Sequence, residues 1–245
     1  MPALGLEPVD VVSGPGNNYV ASAKRAVAGV VGTDSEAGAT EILIVADAAA
    51  DPRLIAADLI SQAEHDEQAS AVLVTDSTEL ADRGVVEVER LAARTHHAER
   101  VATALAGPQS AIVLVDDADA ATAFSNAYAP EHLELHLADA AAAADRFTSA
   151  GAVFVGAHTP VSLGDYMAGS NHVLPTGGQA RYAPGLGAYT FLRPQQVIEY
   201  DRAALARVRD DVVTLANAEV LPAHGDAIVA RFSDDTASAA DERVR

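Results

Sequence analysis

Short apolar runs, rich in Val, Ile and Leu, recur along the chain at residues 8–12, 41–46, 71–75, 111–115, 132–137 and 152–155. Most lack strict polar alternation, which suits strands buried on both faces. The exception is His132-Leu133-Glu134-Leu135-His136, whose alternation places His136 on a solvent-facing strand surface. Longer Ala/Leu/Arg/Glu segments separate the runs and predict helices over 19–30, 52–67, 78–105, 118–128 and 138–149. Asp51-Pro52 supplies an N-cap and a first-turn proline for the second of these. Strand–helix alternation of this kind predicts an α/β fold with a largely parallel sheet. From about Gly177 the pattern changes to a Gly/Pro-bearing connector, then two helices near 203–217 and 220–232. That helical tail needs a surface to pack on, and a partner subunit is one candidate. The polar stretch 233–245 is expected to fray.

Composition narrows the chemistry. The 245 residues are 49% hydrophobic and 21% charged, enough for one large or two small domains. Sixteen Lys+Arg against 35 Asp+Glu give a formal charge of -19, and Lys24 is the sole lysine. Such a surface repels phosphate backbones and anionic headgroups, so neither nucleic acid nor membrane is an expected partner. With no Cys, disulfides, thiolate metal sites and cysteine nucleophiles are excluded, and a metal must be held by His, carboxylate or amide groups. No signal-peptide pattern or bilayer-length apolar run is present, so a cytoplasmic location is expected.

Four places carry candidate chemistry. Ser13-Gly14-Pro15-Gly16-Asn17-Asn18 follows a strand and opens a helix; it is either a ligand-approaching turn or an ordinary βα turn. Gln62 and His65, spaced i and i+3, can converge on one point as metal ligands, or His65 is a surface residue at a helix end. Pro130 stops a helix, leaving Glu131 and His132 at the head of an apolar strand. A carboxylate beside an imidazole offers two proton-transfer groups, the alternative being a polar strand edge. Residues 162–175 crowd Asp165, Ser170, Asn171 and His172 into a Gly-bearing stretch of the kind that holds ligands. His96, His97 and His158 have no companion pattern and are expected to be structural or solvated.

Taken together, SGPGNNYVASAKR, AGATEILIVAD, ADLISQAEHD, YAPEHLEL, SAGAVFVG, SLGDYMAGSNHVLPT and LPAHGDAI resemble, in order, the histidinol dehydrogenase family, and its actinobacterial members most. The resemblance implies an NAD-dependent, zinc-dependent oxidation of L-histidinol to L-histidine through histidinaldehyde, the last step of histidine biosynthesis. It implies one zinc ion per subunit, held by Gln62, His65, Asp165 and His224, the last from the partner's tail. It implies that Glu131 and His132 are the acid/base pair. It implies substrate contacts from Thr40, Gln62, His65, His132, Asp165, His172, Glu219 and His224, and a place near NAD for Asn17. A homodimer with exchanged tails follows. Ala39 stands where the family has proline, a loss of loop rigidity rather than of a functional group.

The implied architecture is an incomplete Rossmann-like parallel-sheet domain, aldehyde-dehydrogenase-like, with a C-terminal helical dimerisation tail. Residues 1–38 would be the remnant of a second Rossmann-like domain, 39–185 the catalytic and zinc-binding domain, and 186–245 the connector and exchanged tail. Family members carry a long segment before the GPGN turn that supplies most nicotinamide contacts. The chain is therefore expected to correspond to a C-terminal fragment, inactive alone. Alternatives are one half of a split enzyme, or a non-redox zinc- and imidazole-binding module. A mere binding module has no need of the acid/base pair.

Overall fold

The computed structural model describes residue 5 and residues 7–232; the segment 233–245, expected to fray, lies outside the described residues. The chain divides into two compact units, Met1–Arg193 and Pro194–Arg245.

The first unit is built on a five-stranded, wholly parallel sheet of β3 (Glu41–Ala46), β4 (Ser70–Thr75), β5 (Ala111–Leu114), β6 (His132–His136) and β7 (Ala152–Val155). The spatial order is β5-β4-β3-β6-β7. Connections run outward from β3 through β4 to β5, then return to place β6 on the other side of β3. The three inner strands, β4, β3 and β6, are buried along almost their whole length, whereas β5 and β7 form the edges. A preceding pair, β1 (Val11–Val12) and β2 (Gly32–Thr33), makes a separate two-residue parallel ladder flanking α1 (Asn18–Val27). No helix among the described residues is long and apolar enough to cross a membrane.

Period-two alternation divides the core between the two faces of the sheet. Ile42, Ile44, Ala71 and Leu73 meet Ile55 and Leu59 of α2 (Pro52–Ala63), Leu80 of α3 (Thr78–Ala92), and Phe154. Leu43, Val45, Val72, Val74, Leu133 and Leu135 meet Ala121 of α5 (Ala118–Tyr128) and Phe147. The expected continuous helix over 78–105 is two helices, α3 and α4 (Ala98–Ala106). A single helix of that length would run about 40 Å, past the sheet. The break lets Val101 and Ala104 fold onto Ile60 and Ala63 of α2. The helix expected over 138–149 shrinks to α6 (Ala140–Ala143) and a 3-10 turn. There Asn126 Oδ1 accepts the Thr148 and Ser149 N–H groups, and Phe147 enters the core.

The reading of His136 as a surface residue is corrected by the structure. In register, His132 lies beside Ile42, Glu134 beside Ile44 and His136 beside Ala46. The polar half of the alternation therefore faces the α2 layer, and all three side chains are buried. Alternation signals two different faces, but it does not say that the polar one is wet.

In the second unit, α8 (Arg202–Ala218) is capped by Asp201 Oδ1, which accepts the Ala204 N–H. Val220, at φ 60°, turns the chain into α9 (Pro222–Val229). The hairpin closes where Gly225 packs against Val213, and the Phe232 ring lies under the guanidinium groups of Arg202 and Arg209. Leu215 and Val220 stay exposed.

Candidate active site

A cleft of about 530 Å³ lies against the amino-terminal ends of β3 and β6. Its lining includes Asn17, Thr40, His65, Glu131, His132, Asp165 and His172. Open α/β sheets commonly bind ligands at the carboxyl ends of their strands; here the residues that open β3 and β6 face the cleft instead.

Local chain rules deliver Glu131 there. Ala129, in the left-handed region at φ 55°, ends α5, a conformation costing a non-glycine residue about 1–2 kcal/mol. Pro130 follows and blocks further helix. The next residues join the sheet, with the Ala152 N–H donating to the Glu131 carbonyl at 2.9 Å. Gly151 is needed at this crossing, because a Cβ there would lie 2.6 Å from the Glu131 carbonyl oxygen and 3.2 Å from Leu174 and Pro175. Gly151→Ala is expected to destabilise the protein by about 1–3 kcal/mol through overpacking and to shift Glu131. Thermal unfolding checks this, and an unchanged melting temperature would contradict it.

Glu131 and His132 are held by one residue that sequence reasoning missed, Glu41. The Glu41 N–H donates to Glu131 Oε2 at 3.0 Å, and the Glu131 N–H donates to Glu41 Oε2 at 3.3 Å. His132 Nδ1 lies 3.0 Å from the Glu41 carbonyl. That oxygen can only accept, so Nδ1 carries the proton and Nε2 presents a lone pair. Nε2 is buried without a hydrogen-bond partner among the described residues. Glu41 Oε1 accepts from the Gly177 N–H at 2.8 Å, tying the connector to the same point. The available signal was a charged residue heading an otherwise apolar run.

Burial sets the protonation states. It pushes the Glu131 carboxyl up to about 8, against the lowering hydrogen bonds from the Thr40 hydroxyl and the Glu41 N–H; the nearby Glu41 charge raises it further. Burial also lowers the His132 pKa, keeping its imidazole neutral. A neutral imidazole with a free Nε2, next to a carboxyl titrating near working pH, can take up protons in succession.

The remaining predicted residues are distributed as follows. Gln62 Nε2 donates to Thr40 Oγ1 at 2.6 Å, and Thr40 Oγ1 donates to Glu131 Oε2 at 2.7 Å, so Thr40 links the amide to the Glu131 carboxyl. The α2 helix ends at Ala63, and His65 sits just beyond it in a turn whose N–H donates to the Gln62 carbonyl. Asp165 lies on a short helix, α7 (Val161–Tyr166), within the stretch expected to be a loop. Asn17 caps α1, its Oδ1 accepting from the Tyr19 and Val20 N–H groups. Glu219 and His224 are exposed on the helical unit, Glu219 ending α8 and His224 in the first turn of α9. His96, His97 and His158 are exposed, as expected.

Similarity to known proteins extends over the same chain. The family model for histidinol dehydrogenase matches residues 3–232. A histidinol dehydrogenase of Leifsonia xyli subsp. xyli is 67% identical over 231 residues, covering 94% of this chain and 53% of that protein. One of Mycobacterium tuberculosis is 60% identical over 227 residues, covering 93% and 51%. The crystal structure of histidinol dehydrogenase from Elizabethkingia anophelis superposes with a TM-score of 0.85 at 34% identity, covering 94% of this chain and 53% of that one. The chain thus spans about half the length of the curated relatives it matches. With the family model running through the GPGN turn, the sheet and the helical unit alike, the chain belongs to the histidinol dehydrogenase family.

Proposed function

We propose that this chain supplies the acid/base pair and the zinc-binding side chains of an NAD-dependent histidinol dehydrogenase, which oxidises L-histidinol to L-histidine through histidinaldehyde. The observation that carries this reading is the setting of His132, which lines the cleft with Glu131: its Nδ1 is occupied by the Glu41 carbonyl and lies 3.6 Å from Glu131 Oε2, and its Nε2 is buried without a partner among the described residues.

The donor set in the cleft fits zinc. His65 and Asp165 both line it, and the Thr40 contact engages the Gln62 amide nitrogen, leaving Oε1 as the ligating atom. His224 would complete a set of nitrogen and oxygen ligands, consistent with the absence of Cys. Bound zinc would anchor the imidazole and amine of histidinol, and bound NAD would accept hydride. His132 takes the alcohol proton at Nε2 as the carbinol carbon loses hydride. Glu131 then takes a proton from water as its oxygen attacks the aldehyde carbon, and the hydrate so formed loses a second hydride and releases its remaining hydroxyl proton to solvent, leaving the carboxylate. Thr40 holds the Glu131 oxygen in place, and His172 and Glu219 contact substrate. Asn17 is proposed to lie near NAD. Burial of the acid/base pair limits water access to the aldehyde.

We further infer that the protein is a homodimer in which the helical unit is exchanged, so that His224 and Glu219 serve the partner's site. The exposed Leu215, Val220 and Leu221 on that unit support a packing surface. The zinc assignment is tested by metal analysis of the purified chain. Zinc is expected in the wild type and lost in His65→Ala; absence of zinc, or its full retention in the variant, would refute the assignment.

A further inference from the structure

Outside the cleft, one buried polar cluster has no role in the reaction as derived. Asp58 of α2 and Glu134 and His136 of β6 bring their oxygens and nitrogens together beneath α2. Glu134 is 1% exposed. Its Oε2 lies 3.2 Å from His136 Nε2, and Asp58 Oδ2 lies 3.8 Å from the same nitrogen. Its other oxygen reaches a different element: the Val161 N–H donates to Glu134 Oε1 at 2.8 Å, across 27 residues of sequence.

That contact closes an accounting gap. A helix's first N–H groups have no partner within the helix, and α7 has no side-chain cap of its own because its N-cap is Pro160. Glu134 supplies the missing acceptor, and a carboxylate is the favoured charge at that end. Asp165 lies one turn beyond Val161, on the same face at i and i+4, so the position of Val161 is transmitted directly to Asp165. A second constraint acts between them: a Cβ on Gly164 would lie 2.6 Å from the Phe154 ring, so α7 is seated tightly on β7.

We propose that Glu134 is a positioning residue that caps α7 from β6 and thereby fixes Asp165 in the cleft, with His136 and Asp58 holding the Glu134 carboxylate in its orientation. One strand then sets two parts of the site, since His132 lies two residues earlier on the same face of β6. With its proton on Nε2, His136 donates to Glu134 and leaves Nδ1 bare, matching the lack of a partner at Nδ1. Burial, followed by the neighbouring Glu134 charge, pushes Asp58 up to about 7, so it adds less negative charge to the cluster than a free aspartate would.

The inference rests on the reading of Asp165 as a zinc ligand. It is tested by zinc affinity, measured by chelator competition, alongside thermal unfolding of the metal-free chain. Glu134→Gln keeps an acceptor for the Val161 N–H and should bind zinc like the wild type. Glu134→Ala removes that acceptor and should weaken zinc binding by about 10- to 100-fold, as loss of a residue supporting a metal ligand does. Glu134→Asp, too short to reach Val161, should also weaken it and decides the matter if the alanine form does not fold. A lower melting temperature with unchanged zinc affinity in the alanine or aspartate form would make the role purely structural and overturn the inference. A wild-type chain that binds no zinc would instead refute the zinc reading on which it depends.

Discussion

His132→Ala in the complete enzyme is expected to lower histidinol turnover by about 10²- to 10⁴-fold, the usual contribution of a positioned general base, with substrate binding largely kept. The expectation follows from hydrogen-bond geometry. The Glu41 carbonyl is an obligate acceptor 3.0 Å from Nδ1, which puts the single proton of the neutral ring there and leaves Nε2 as the base. Burial, the largest influence on the ring, disfavours the imidazolium and keeps Nε2 available. A removed ring leaves His65 and Asp165, the proposed zinc ligands, in place, so affinity should survive while the rate does not. Steady-state kinetics together with calorimetric binding of histidinol separate the two. Turnover at the wild-type rate would refute the assignment of the base.

The largest loss of stability is expected from Lys24→Met. Lys24 and Asp34 have side chains only 3% exposed, and they pair at 2.5 Å. All three ammonium donors are used: Nζ donates to Asp34 Oδ1 and the Gly14 carbonyl at 2.5 Å and to the Ser35 carbonyl at 3.0 Å. Asp34 Oδ2 in turn accepts from the Gly14 N–H at 2.8 Å. Gly14, at φ 128°, holds a conformation that side chains rarely adopt, and the turn is pinned through the peptide groups on either side of its Cα. Taking away the cation leaves a buried, unpaired carboxylate, which costs about 3–5 kcal/mol. Denaturant unfolding measures the loss, and a change of only a few tenths of a kcal/mol would show the pair to be dispensable. Because Pro15, Gly16 and Asn17 line the cleft, ligand binding should weaken with it.

Much of the sheet was legible because β3 and β4 are local apolar runs: the predicted 41–46 coincides with β3, and 71–75 falls within β4. What the sequence left hidden depends on partners far along the chain. His136 reads as a surface residue until α2 covers it, and the 78–105 helix reads as continuous until Val101 is seen to need Ile60 and Ala63. Lys24 entered only as part of the charge balance, yet it orders the GPGN turn through Asp34. Glu131 and His132 were visible as candidate proton-transfer groups because Pro130 marks a helix stop just before this dipeptide. Their control by Glu41 was not, since a reciprocal backbone-to-carboxylate pairing across 90 residues leaves no local pattern. Spacing offered Gln62 and His65 as one candidate ligand pair, but Asp165 joined that proposed set only through family resemblance, because it is α7 that brings it to the cleft.

The most direct test of the account is the ratio of NADH formed to histidinol consumed, measured on this chain joined to the part of the Leifsonia protein that it does not match. Converting an alcohol to a carboxylate releases two hydrides, so the account predicts two NADH for each histidinol, histidine as product, and loss of both in the His132→Ala form. No histidinol-dependent NADH, or a single NADH with free aldehyde as product, would contradict it.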